Sequence, residues 1–128
     1  ESQNKIIRLP TQSYLDLAKF YQAADIAIFP KQCSMSYFEV QSCGLPVVLE
    51  HNEINLDRIS NKKGLIFNKE CKVDFVQKIV DFGNMNIEKF DIFSKNSRQN
   101  ILTNYNYSNV AKAFTDILIN EYNRYKTN

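Results

Sequence analysis

Tryptophan is absent from this chain, and glycine, proline and cysteine occur only three times each in 128 residues. So little glycine and proline argues against a linker or a low-complexity protein. The cysteines Cys33, Cys43 and Cys71 are odd in number and form no CxxC pair. They read as reduced thiols of a cytoplasmic protein, not as a disulfide framework. The single histidine, His51, has no cysteine or carboxylate cluster beside it in sequence, so no metal site is expected, and His51 reads as a loop residue. No apolar run approaches the roughly 20 residues that span a bilayer, and no signal peptide is evident. Charge of one sign is also lacking: 16 Lys and Arg face 14 Asp and Glu, for a net charge of +2. With no basic block, a nucleic-acid surface and a polybasic membrane anchor are both excluded. A weak peripheral membrane contact stays open.

What is present is ordinary globular composition, 44% hydrophobic and 23% charged. The length suits one domain over 1–128 with a real core. The first residue is Glu1 rather than Met, which leads us to expect a piece of a longer protein.

Residues 5–9 (KIIRL) are apolar and β-branched, as in a strand. Ser13 and Asp16 are spaced as a capping box in which each side chain satisfies a free backbone N–H. The spacing of Leu15, Leu17, Ala18, Tyr21 and Ala24 predicts a helix over 13–24. The continuously apolar run 26–29 predicts a strand buried on both faces. A helix of about 35–43 ends at Gly44, a residue that tolerates positive φ. A buried strand begins at 45–49, a short helix or turn follows at 53–60, and 64–67 is a further strand. Helices are expected over 73–82, 87–104 and from a cap at Ser108, so the stretch 85–128 is a helical C-terminal extension. Alternating strands and helices predict an α/β fold with a parallel sheet and right-handed crossovers.

The informative stretch is 26–49, IAIFPKQCSMSYFEVQSCGLPVVL. In an open parallel sheet, ligands bind outside the carboxyl ends of the strands. The loop after Phe29-Pro30 delivers a helix N-terminus there, with free N–H groups and a favourable dipole for an anion. Ser34 and Ser36 can add hydroxyl donors and Lys31 a positive charge. Cys33 near this helix start is a candidate for a lowered thiol pKa. Glu39, one turn further, can accept hydrogen bonds from a vicinal diol such as a ribose. Phosphate donors followed by a diol acceptor describe a nucleotide. The bland alternative is a capping serine and a solvent-facing glutamate with no ligand.

The ordered series AADIAIFP (23–30), FEVQSCGLPVV (38–48), KGLIF (63–67) and YSNVA (107–111) resembles family-4 retaining glycosyltransferases. These have the GT-B fold, and the resemblance is to their C-terminal donor-binding domain. It implies a Rossmann-like parallel sheet flanked by helices, here the second part of that domain with its C-terminal helices. It implies that amides and hydroxyls of Ser34, Met35 and Ser36 contact the donor diphosphate and that Glu39 binds the ribose. The donor is a nucleotide-diphosphate sugar and no other cofactor or metal is implied. The family motif has a second glutamate eight positions before Glu39, where this chain has Lys31; Lys31 is carried as a donor contact and the donor sugar stays open. By the same resemblance the partner is an N-terminal acceptor-binding domain, the setting is bacterial cell-surface polysaccharide synthesis, and the fragment alone is inactive. No catalytic residue is assigned. A sugar-nucleotide epimerase of the same fold and a non-catalytic α/β interaction module are the alternatives. Tyr122 and Tyr125 on the last helix are candidates to face a partner domain or, in an isolated fragment, a second copy.

Overall fold

A computed structural model describes residues 3–31 and 34–127. Its elements run α1 (Tyr14–Gln22), β1 (Ala27–Phe29), α2 (Ser36–Ser42), β2 (Val47–Glu50), α3 (Glu53–Ile59), β3 (Gly64–Phe67), α4 (Lys72–Gly83), α5 (Ile87–Asn104) and α6 (Tyr107–Lys126). The strands form one parallel sheet in the order β1-β2-β3, flanked by helices. The fold class is therefore the expected α/β, Rossmann-like arrangement.

The core is built around β2. Val47, Val48 and Leu49 are fully buried, and the pleat sends alternate side chains to opposite faces. Val47 and Leu49 pack with Tyr37, Val40 and Leu45 on one face. Val48 packs with Phe67, Phe82 and Phe93 on the other. The second face is aromatic, with the Phe82 ring edge-on to Phe93 at 5.4 Å and to Phe90 at 6.2 Å. Gly64 is forced by this closeness: a Cβ there would sit 2.7 Å from Val47 Cγ2 and closer still to the Val47 carbonyl oxygen.

A polar knot ties the layers together. The Lys63 carbonyl, at the entry to β3, accepts from Ser97 Oγ at 3.0 Å and from Gln41 Nε2 at 3.4 Å. Gln41 and Ser97 are both 0% exposed, so α2, α5 and β3 share one buried acceptor. α2 ends as expected at Gly44, with φ +83. The Gly44 N–H donates to the Gln41 carbonyl and the Leu45 N–H to that of Val40, the paired bonds of a Schellman stop.

Four expectations are corrected. Residues 5–9 form no strand; a strand exists through its ladder, and no described strand lies beside them. β1 is not buried on both faces: it is an edge strand, and Ile28 is 38% exposed. Half of the capping box forms. Ser13 Oγ accepts from the Asp16 N–H, but the Asp16 carboxylate takes the Ser13 hydroxyl at 2.6 Å instead of a backbone N–H. The last helix is capped by Asn106, whose side chain accepts from the Asn109 N–H at 2.9 Å, and not by Ser108. Asn caps as well as Ser, so the earlier residue takes the cap and the helix starts at Tyr107.

Candidate functional site

All three strands end at the same edge. There β1 leads into Pro30 and Lys31, and the described chain resumes at Ser34 before α2. Cys33 lies outside the described residues. The Ser36 N–H donates to Ser34 Oγ at 3.3 Å, and the Tyr37 N–H to the Ser34 carbonyl at 3.1 Å. Ser34 thus folds the chain into the first turn of α2, whose N-cap, Met35, makes no side-chain cap bond. Met35 is 74% exposed.

Glu39 lies half-buried one turn into α2. The Tyr21 hydroxyl, from α1, donates to Glu39 Oε2 at 3.2 Å. Burial pushes the Tyr21 phenol above its usual 10.0; the Ser36 side chain opposes this and the Glu39 carboxylate adds to it. Tyr21 is therefore a protonated donor at neutral pH and restrains the carboxylate. A carboxylate offers about four lone-pair sites, so Glu39 keeps acceptor capacity for a second pair of donors. The structure brings Ser36, Tyr21 and Glu39 together. Tyr21 was missed as a site residue because in sequence it is one more apolar position on an amphipathic helix.

Lys31 belongs to a different place. It lines a cavity of about 440 Å³ with Pro30, Glu50, Phe67, Cys71 and Phe75, among others. Pro30 follows β1, Glu50 ends β2 and Phe67 ends β3, so this cavity sits on the carboxyl edge of the whole sheet. Ser34, Met35, Ser36 and Glu39 are not among its lining residues. Glu50 Oε1 accepts from the Glu70 N–H at 3.1 Å, and Glu70 turns the chain with φ +59. Glu50 and Glu70 offset Lys31 and Lys72 around this cavity, a balance that suits a neutral hydroxyl-bearing group better than a bare phosphate. Only the meeting of three strand ends reveals these residues; 22 and 20 positions separate Lys72 from Glu50 and Glu70 from Glu50 in sequence.

Arg58 was also missed. Its guanidinium lies 5.0 Å from the Tyr37 ring and 5.7 Å from that of Phe38, and the Tyr37 hydroxyl donates to the Arg58 carbonyl at 2.7 Å. This clamps α3 to α2. His51 is exposed, and its backbone N–H donates to the Phe67 carbonyl at 2.9 Å. No group of three or more His, Cys, Asp or Glu is gathered for a metal ion among the described residues. No described helix is long and apolar enough to cross a membrane. No family model, curated protein or solved structure matches the chain.

Proposed function

We propose that this chain is the donor-binding portion of a retaining glycosyltransferase, acting with an acceptor-binding domain in the cytoplasm, in cell-surface polysaccharide synthesis. The observation that carries the reading is Glu39, a half-buried carboxylate held by Tyr21 near the carboxyl edge of a parallel sheet. In this reading Glu39 accepts the ribose hydroxyls of a nucleotide-diphosphate sugar. Amides and hydroxyls of residues 34–36 meet the diphosphate. The cavity beside Lys31 takes the hydroxyl-bearing sugar, with Glu50 as an acceptor. The resemblance of the ordered motifs to family-4 enzymes supports the same assignment.

Calorimetric titration of nucleoside diphosphates into the full-length protein, beside Glu39→Ala, is the test. One diphosphate is preferred, and losing Glu39 weakens it by about 1–3 kcal/mol, the scale of a lost charged hydrogen bond. A folded protein that binds no nucleotide sinks the assignment. The second reading, a non-catalytic interaction module, is favoured by one observation: α6 has no buried residue. It predicts no nucleotide binding at all.

A further inference from the structure

Lys63 is the one charged residue buried among the described residues, at 7% exposure. A buried charge is normally paired or hydrogen-bonded, because desolvation without a partner is strongly unfavourable. The hydrogen bonds of Lys63 are all made by its backbone: its N–H donates to the Ile59 carbonyl, and its own carbonyl accepts from Val47, Gln41 and Ser97. Its ammonium has no carboxylate at ion-pair distance among the described residues, where the pairs are Lys19–Asp16, Lys78–Asp74 and Arg124–Glu121. Burial lowers the Lys63 pKa, and the more distant Asp57 carboxylate opposes this. Lys63 lines a cavity of about 250 Å³. It precedes β3, so this cavity lies at the amino edge of the sheet, opposite the one beside Lys31. Asn96, Gln99, Asn100, Thr103 and Asn104 complete most of the lining, at the three- and four-residue spacing of one helix face. Asn61 supplies the rest, and its carbonyl accepts from Asn96 Nδ2 at 2.7 Å. Gln99 Nε2 donates to Thr103 Oγ1 at 2.9 Å, and Asn104 Nδ2 to Asn100 Oδ1 at 3.0 Å. Each side-chain amide has two N–H donors and a carbonyl with two lone pairs, so these bonds leave donors and acceptors over. The lining residues include no carboxylate and no aromatic or wholly apolar side chain.

We propose that this cavity binds a small hydroxyl-rich carboxylate, of the sugar-acid class: Lys63 pairs with the carboxylate and the amides of α5 meet the hydroxyls. A carboxylate supplies the counter-charge that the buried ammonium lacks within the described residues. Its single charge balances one lysine, whereas a phosphate near neutrality carries about 1.5–2 negative charges. The amides and the Thr103 hydroxyl both give and accept hydrogen bonds, as hydroxyl groups do. With no ring to stack on, a nucleobase finds no platform here. The size agrees, since the cavity is smaller than the roughly 300–1,000 Å³ of pockets for drug-sized ligands. The site is also held in place before any ligand arrives. Ser97 and Gln41 fix the Lys63 backbone, and Asn96 ties the turn at Asn61 to α5. The proposal does not depend on nucleotide binding.

The test is equilibrium dialysis of radiolabelled glucuronate against the full-length protein, beside Lys63→Met and Asn100→Ala. Lys63→Met keeps the side-chain length and removes a charge whose burial is unfavourable, and Asn100 is only half-buried, so both variants are expected to fold. Saturable binding is expected, weakened about tenfold or more in Lys63→Met, the scale of a lost charged hydrogen bond. Asn100→Ala should weaken it less. Glucose, which has a neutral CH₂OH in place of the carboxylate, should bind about as poorly to wild type as glucuronate does to Lys63→Met. Four results overturn the proposal. Glucuronate that fails to bind through the millimolar range means that another part of the chain, or water alone, meets Lys63. Binding that ignores both variants means that it occurs elsewhere. Binding lost in Lys31→Met but kept in Lys63→Met moves it to the carboxyl edge of the sheet. Inorganic phosphate that displaces glucuronate at equal concentration makes this a general anion site and not one for a carboxylate.

Discussion

The region around β2 and the helix α6 are both regular structure, yet different forces hold them. Val47, Val48 and Leu49 lose all contact with water between two apolar clusters. Each such side chain contributes about 1.5–3 kcal/mol by burial. α6 buries nothing. It is set by local bonds: the Asn106 cap, the Asn109 side chain on the Thr103 carbonyl at 2.6 Å, and Lys126 over the Tyr122 ring at 4.9 Å. α1 resembles α6 in this respect, with no buried residue and a cap at Ser13. Sheet and aromatic packing make the centre cooperative, whereas α6 rests on its caps and α1 adds only Tyr21, which packs on the core and bonds Glu39.

The largest effect should come from the centre. Gly64→Ala drives a methyl group into the Val47 backbone and lowers stability by about 3 kcal/mol or more, at the upper end of overpacking costs. Denaturant unfolding measures it; an unchanged midpoint would mean that β2 and β3 are not in this register.

Ser97→Ala comes next. It removes a buried donor from the Lys63 carbonyl and a partner of Gln41, at a cost of about 1–3 kcal/mol. Ser97→Ala with a wild-type midpoint would remove the polar knot from the account of the centre.

Asn106→Ala sharpens the contrast from the other side. Losing this cap costs about 1 kcal/mol locally. Amide exchange over 107–126 should quicken while β2 stays protected, and quickening of both together would show α6 to be part of the core.

The smallest effect is electrostatic. Asp74 sits in the first turn of α4, where the Asn68 N–H donates to its carboxylate at 2.7 Å. That bond lowers the Asp74 pKa below its ordinary 3.8; burial opposes it, and Lys78 adds a lesser lowering. A carboxylate with a depressed folded pKa stabilises the fold above its unfolded pKa, and the contribution fades as pH falls through the folded value. Asp74→Asn should therefore be slightly less stable than wild type near neutrality, with a gap that begins to close only as pH falls past the ordinary 3.8 toward the lower folded value. A gap that stays unchanged well below pH 3.8 would exclude this bond as a contributor.

Most helices could be read directly. Apolar spacing and the Gly44 stop place α2 and α5 to within a residue or so, because the 3.6-residue repeat and a positive φ are local properties. Strand existence was legible too, but not strand environment. The run IAIF has the unbroken apolarity of an interior strand, yet β1 is an edge, since apolarity says what a strand prefers and not what lies beside it. KIIRL has a strand's composition and no described ladder partner. Of the candidate site, Glu39, Ser34 and Ser36 could be singled out from their place after a strand end. Tyr21, Glu50 and Glu70 were not, because hydrogen bonds across 18 and 20 positions leave no periodic trace.

The sequence by itself determined the alternation of strands and helices, the helix stops, and the candidate segment between β1 and β2, all of which follow from side-chain size, branching and spacing within a few residues. Tertiary structure alone decided that Tyr21 holds Glu39, that Lys31 belongs to another cavity, that Lys63 anchors a buried knot and that α6 is left uncovered. Each of these depends on which distant segments come within a few ångströms, and that is fixed by how the sheet closes on its helices.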